Sequence, residues 1–141
     1  MNTENQLQTV DKRVLLSTLW LVVLLNMIFR DIHEIPTAEF LQQAITGVVN
    51  GTPVTDELLF IAGIVLELFI MMVLLSRILA HRLNRQINLI IGSLAIVAVL
   101  ANPPGDLDDW LFSTVEIILL VAIVRTAWVW KSPTAELNPA V

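Results

Sequence analysis

Four long apolar segments constrain this chain more than any other feature of its sequence. Each is nearly free of charge, whereas a helix of a soluble protein keeps one polar face. About 20 such residues are enough to cross a bilayer. We therefore predict an all-α integral membrane protein, a bundle of four transmembrane helices over residues 14–33, 57–79, 86–102 and 110–130.

The amino-acid composition supports a single membrane domain over residues 1–141. Hydrophobic residues make up 56% of the chain and charged residues 15%, whereas about a quarter of the residues of a soluble domain are charged. The net charge of −5 argues against binding to nucleic acid, which requires a basic surface. The absence of cysteine excludes disulfides and thiolate metal sites. No nucleotide fingerprint is present, and we predict no cofactor.

A shorter amphipathic helix is predicted between the first two spans, over residues 37–50. Its apolar side chains repeat at helical spacing on one face, and Asn50-Gly51 is typical of the end of a helix. Such a helix buries its apolar face against lipid headgroups or against other helices. We expect it to lie on the outer leaflet or to cap the bundle.

The distribution of charge predicts the orientation of the four spans. Lysine and arginine resist translocation far more than aspartate and glutamate do. Arg30 is the one basic residue of eight that falls on the outer side, where the acidic loop residues also lie. We therefore predict a multi-pass protein of the cell inner membrane with both termini in the cytoplasm. The basic residues on the cytoplasmic side are Lys12, Arg13, Arg77, Arg82, Arg85, Arg125 and Lys131.

Ionisable residues inside the predicted spans indicate a candidate site. Glu67 lies in the second span and Glu116 in the fourth, where a carboxylate near the membrane centre costs about 2.5–3.5 kcal/mol and requires a partner or a function. Asn26 and Arg30 are four residues apart on the first span and share a helical face. We predict an outward-facing polar pocket that binds a ligand or a proton, formed by Asn26, Arg30, Asp31, Glu67 and Glu116.

Two other interpretations of these residues remain open. Arg30 could pair with Glu116 or Glu67 and only hold the helices in register, or Glu67 could face a partner subunit. His33 and Glu34, with the acidic loop residues, are the candidates for binding a divalent cation. Their spacing matches no defined metal motif, and we predict no metal site.

Three sequence blocks carry a family resemblance: residues 25–32, residues 67–79 with Asn84-Arg85, and Val115-Glu116-Ile117. In these blocks the chain resembles an uncharacterised family of small bacterial integral membrane proteins with four helices, DoxX-like in size and topology. The resemblance implies a fold and a membrane location, but no activity. It also implies counterparts of Asp31, Glu67 and Glu116 in relatives, in which a small residue often replaces Arg30.

Three functions are compatible with these features. The first is binding or transport of a small solute, a lipid or a proton, for which a transporter of this size would need to be a homodimer. The second is an accessory or scaffold subunit of a larger membrane complex. The third, an enzyme acting on a lipid or quinone, has the least support, because His33 and His81 have no recognisable catalytic neighbour in the sequence.

Overall fold

A computed structural model describes residues 11–102 and 104–130 of the chain. The predicted all-α class is confirmed, with one very short hairpin beside the helices. Lys131, which contributed to the predicted orientation, lies outside the described residues. The elements in chain order are α1 (Lys12–Glu34), α2 (Ala38–Thr46), β1 (Val48–Val49), β2 (Thr52–Pro53), α3 (Asp56–Ile78), α4 (His81–Ala101) and α5 (Leu107–Trp128).

Three of the described helices, α1, α3 and α4, are long and apolar enough to cross a membrane. The fourth predicted span corresponds to α5, a helix of 22 residues that carries Glu116 and Arg125 and is not among these three. The finding is compatible with a membrane protein.

The segment between α1 and α3 forms a shorter helix than the sequence pattern suggested. α2 ends at Thr46 because Gly47 adopts a left-handed conformation, with φ of 72°, that terminates the helix. β1 then pairs antiparallel with β2, with Val48 opposite Pro53, and the turn at Asn50-Gly51 has positive φ at both residues. α2 buries no residue in this chain, so its apolar side chains stay available for other contacts.

The four long helices pack in the order α3, α1, α5, α4. α1 contacts both α3 and α5 along its length, and α4 packs on α5. α3 and α4 are joined by a tight turn but share only a few contacts. The core lies between the helices and is formed by Leu16, Trp20, Val23, Leu24, Phe69, Met72, Ala95, Leu120 and Ile123.

Successive long helices run in opposite directions, which gives the bundle two chemically distinct ends. We call the "basic end" the end that carries Lys12, Arg77, Arg82 and Arg85. The "acidic end" carries Glu34, Asp56, Asp106 and Asp108, together with α2 and the hairpin. Contacts between opposite termini support this alternation: the Arg85 side chain at the start of α4 donates to the backbone oxygen of Ala127 near the end of α5.

Candidate functional site

The acidic half of the bundle holds a buried carboxyl group between α1 and α5. Glu116 is only 3% exposed and lies on the packed side of α5, with Ser113 one turn earlier. Asn26 of α1 donates from Nδ2 to the backbone oxygen of Phe112 at 3.0 Å, which fixes the two helices together one turn from Glu116. The structure thus brings Asn26 and Glu116 to one interface.

Arg30 and Asp31 lie one turn beyond Asn26 towards the acidic end of α1. Their side chains approach each other to 3.9 Å, and that of Arg30 is 33% exposed. Arg30 and Asp31 are close enough to Glu116 to act on its carboxyl group electrostatically. Within residues 11–102 and 104–130 no ion pair shorter than 4 Å includes Glu116. A shielded carboxyl close to a cation but not bonded to it can accept a proton, or a hydrogen bond from a polar ligand.

Glu67 lies apart from the other four predicted site residues, on the opposite side of its helix from the core. The side of α3 that packs holds Phe69, Met72 and Ser76, and Glu67 is rotated by about 140–200° from each of them at 100° per residue. Glu67 is exposed, and so are its neighbours on the same side of the helix, Phe60, Gly63, Ile64, Met71 and Leu74. It is also central, 11 residues from each end of α3, or about 17 Å along the axis.

The acidic end carries the residues considered for a metal. The Nε2 atom of His33 lies 3.6 Å from a carboxylate oxygen of Asp108, and Glu34 is half-buried beside them. In the part of the chain that the structure describes, no group of three or more histidine, aspartate or glutamate side chains is arranged to hold a metal ion. Asp106 instead caps α5, and the hydrogen bond from the backbone N–H of Asp109 lowers the pKa of its carboxyl group.

A second polar cluster, which sequence reasoning did not single out, lies in the basic half. The Oδ1 atom of Asn88 accepts hydrogen bonds from Trp20 Nε1 at 2.7 Å and Ser76 Oγ at 3.4 Å. Its Nδ2 atom donates to the side-chain oxygen of Asn84 at 2.7 Å, and Asn84 donates to the backbone oxygen of Ser76 at 2.6 Å. All four residues are buried. Asn84 and Asn88, four residues apart and so on one face at the start of α4, were the signal that could have identified it.

This cluster holds helices together, and its buried side-chain polar atoms all have hydrogen-bond partners among the described residues. It joins α1, α3 and α4 where α3 turns into α4. Beside it, Ser17 of α1 donates to the backbone oxygen of Val73 at 2.8 Å and accepts a bond from Arg77 Nε at 3.1 Å. Of these two polar clusters, the one around Glu116 is therefore the one that can still bind a ligand.

Comparison with known proteins adds a family but no activity. No curated protein and no solved structure matches this sequence. A family model matches residues 7–136, which is nearly the whole chain. The chain therefore belongs to a family of unknown function, DUF6326.

Proposed function

We propose that this chain is a four-span integral membrane protein that binds a small solute, a lipid headgroup or a proton at Glu116. The observation that carries the proposal is the burial of this carboxyl between α1 and α5, near Arg30 but outside ion-pair distance of it in the described segments. A buried carboxyl that served only to hold helices together would be bonded to its cation, because an unpaired buried charge is costly. Asn26, Arg30 and Asp31 would complete the pocket.

The packing order supports a fourth span. α5 lies between α1 and α4, both of which are long and apolar enough to cross a membrane. A helix enclosed between two spans of equal length shares their depth. We infer that α5 crosses too, that the basic end faces the cytoplasm of a bacterial cell, and that the Glu116 pocket opens outward, since basic residues resist translocation. Both termini would then be cytoplasmic.

A second function, that of a scaffold subunit or homodimer, is favoured by α3. The side of this helix around Glu67 is exposed and apolar except for that carboxyl, and α2 also buries no residue. A carboxyl at the centre of a lipid-facing helix is costly unless it is protonated or covered by another chain. Glu67 would then serve the contact between subunits, separately from the Glu116 pocket.

Labelling with a hydrophobic carbodiimide separates these functions, because the reagent modifies protonated carboxyls in apolar surroundings. The protein in liposomes is labelled across a range of pH, and modification at Glu116 and Glu67 is read by mass spectrometry. The proposal predicts that Glu116 is modified at acidic pH and progressively protected as the pH rises. Solutes that bind the pocket should slow its modification further.

Two variants make the labelling result decisive. Glu67→Gln should leave the modification of Glu116 unchanged, because the two residues lie on different interfaces. Glu116→Gln should remove the pH-dependent, solute-protected signal and leave any signal at Glu67. If Glu67 reacts but Glu116 stays unlabelled at every pH, no ligand reaches Glu116 and the pocket proposal is wrong. If neither reacts, both are shielded and the scaffold function takes precedence.

A further inference from the structure

A groove of about 530 Å³ opens at the basic end, between the first turns of α4 and the end of α5. It lies at the opposite end of the bundle from Glu116 and is unrelated to that pocket. In the described part of the chain its polar lining is basic and amide, without a carboxylate, and its walls are aromatic. The residues concerned are His81, Arg82, Arg85, Gln86, Trp128 and Trp130.

Arg85 is held in place and still has donors to offer. Its Nε atom donates to the backbone oxygen of Ala127 at 3.1 Å, and Nη2 donates to that of Trp128 at 3.3 Å. A guanidinium has five N–H donors, so three have no partner among the described residues and can serve a ligand. Arg82 lies three residues earlier, on the same side of α4, and is exposed. Two guanidinium groups thus border one groove, one of them fixed in position by α5.

His81 adds unpaired polar atoms to the same groove. Both of its ring nitrogens are shielded from solvent, and neither has a hydrogen-bond partner among the described residues. The ring of Trp130 packs edge-on against the imidazole at 4.8 Å. Burying a polar atom without a partner is unfavourable, and a ligand oxygen reaching the imidazole past Trp130 would relieve that cost.

The start of α4 contributes backbone donors at the same place. α4 begins after Ala80 without a side-chain cap, whereas the N-termini of α1, α2, α3 and α5 are each capped by the side chain of Asp11, Thr37, Thr55 or Asp106. The first N–H groups of a helix have no partner within it, and they favour an anion.

We propose that this groove binds a phosphate group, carried by an anionic membrane lipid or by a phosphorylated solute. Phosphate offers several acceptor oxygens around one centre, which suits two guanidinium groups, an imidazole and the helix N-terminus together. A carboxylate has only two oxygens and would leave part of this set unpaired. Trp128 is 68% exposed at the rim, and tryptophan is enriched at the depth of lipid headgroups.

The test uses the purified full chain in a phosphate-free non-ionic detergent and has two arms. Native mass spectrometry measures how much phosphatidylglycerol the protein retains, compared with diacylglycerol of the same acyl chains, which lacks the phosphate. Titration with sodium phosphate at constant ionic strength, read by tryptophan emission, measures binding of the free anion. Retention of phosphatidylglycerol alone identifies a headgroup, and binding of free phosphate identifies a soluble phosphorylated ligand as the source.

Charge-matched variants separate a site from a general attraction to positive charge. Arg82→Gln should weaken phosphate binding on the order of tenfold, which corresponds to the loss of one charge-assisted hydrogen bond. Arg82→Lys should fall between wild type and Arg82→Gln, because lysine keeps the charge but not the planar fork. Arg125→Gln removes the same charge from an exposed position of α5 outside the groove and should bind within about twofold of wild type.

Two results would overturn the proposal. One is failure of wild type in both arms, so that it neither binds free phosphate nor retains phosphatidylglycerol above diacylglycerol. The other is an equal loss of phosphate binding in Arg82→Gln and Arg125→Gln, which would mean that charge density alone attracts the anion. Because Arg82 is exposed, its variants should unfold at the temperature of wild type, and this is checked before binding is compared.

Discussion

Among single residues, Asn88 does most to hold the helices together through polar contacts. Its amide group makes hydrogen bonds with side chains of α1 and α3 and with Asn84 on its own helix. In apolar surroundings each of these polar groups would be costly to leave unpaired, because no water is present to replace the lost partner. The cluster therefore sets how α4 sits against α1 and α3 near the basic end.

We predict that Asn88→Leu lowers the free energy of unfolding by about 1–2 kcal/mol. The substitution leaves the indole N–H of Trp20 without its acceptor and removes the partner of Asn84. The matched control is Asn102→Leu, at the other end of α4, where the exposed amide donates to the backbone oxygen of Ala98 in its own helix and, among the described residues, to no other helix. Chemical unfolding in detergent measures both. If both variants lose the same free energy of unfolding, the hydrogen bonds of the cluster add no stability of their own.

Glu116 and Glu67 show what the sequence can and cannot predict about a single residue. A carboxyl in an apolar segment is recognisable from the sequence, and both were identified in this way. Which side of the helix it occupies is readable only when polar residues repeat along one face. α5 has such a stripe, with Asp109, Ser113 and Glu116. α3 is apolar on all sides, so no pattern distinguishes the exposed side that carries Glu67 from the packed side.

At the scale of helices, Gly92 sets the approach of α4 to α5. A Cβ atom at this position would lie 2.9 Å from Val124 Cγ2 and 3.5 Å from Ile123 Cγ2. The first distance is closer than carbon atoms pack, so Val124 or the helix itself would have to move. The glycine therefore allows the tight contact that places α4 against α5.

We predict that Gly92→Ala is less stable than Gly63→Ala by about 1–3 kcal/mol, each measured against wild type. Both substitutions gain the same helix propensity from alanine, about 1 kcal/mol, so their difference isolates the contact with α5. The Cβ atom at Gly63 meets nothing within 4 Å. Thermal unfolding of both variants in the same detergent gives the comparison. Equal stability would mean that Val124 rotates away at no cost.

The start of α5 has a pH-dependent cap. The Asp106 carboxylate accepts a hydrogen bond from the backbone N–H of Asp109 at 3.0 Å, and this bond lowers the pKa of Asp106 from its ordinary value of 3.8. An ionised form bound more tightly in the folded state adds stability above the ordinary pKa. That stability is lost as the pH falls through the lower pKa of the folded protein.

We predict that Asp106→Asn removes this pH dependence while keeping the cap, because asparagine caps helices about as well as aspartate. The difference in melting temperature between wild type and the variant should be constant above about pH 4 and should shift against wild type at lower pH. Acids that do not interact with Asp106 contribute equally in both proteins and cancel in the difference, whereas Asp108 and Glu34 feel its charge and belong to the measured effect. If the melting temperatures of wild type and Asp106→Asn fall in parallel down to the most acidic pH, the Asp106 charge has no stabilising role.

The sequence predicts some helix ends, because the residues that cap a helix or stop it have recognisable side chains. Thr55 before Asp56-Glu57 is typical of a helix start, and in the structure its side chain accepts a hydrogen bond from the backbone N–H of Leu58. The end of α2 was placed too late, because Gly47 ends the helix before the Asn50-Gly51 pair that drew attention. A glycine stops a helix by taking positive φ, and the sequence alone does not show which of two nearby glycines does so first.

For the whole molecule, the sequence predicted the helical class but could not give the order of packing. Apolarity and length identify helices one at a time, whereas adjacency depends on which faces fit together. α3 and α4 are joined by a tight turn at Ala80, yet they share only a few contacts, because α3 packs on α1 and α4 packs on α5. The resulting bundle keeps its charges at opposite ends, and this separation predicts its orientation across a membrane.

We predict that four single-cysteine variants report this orientation, since the natural chain has no cysteine to react. Gln42→Cys and Gly105→Cys at the acidic end should react with an impermeant maleimide in intact cells. Gln86→Cys and Val129→Cys at the basic end should react only after permeabilisation. All four positions are exposed, so labelling in detergent shows that each cysteine can react. The Gly105 and Val129 pair flanks α5, and labelling of both from the same side would show that α5 does not cross the membrane.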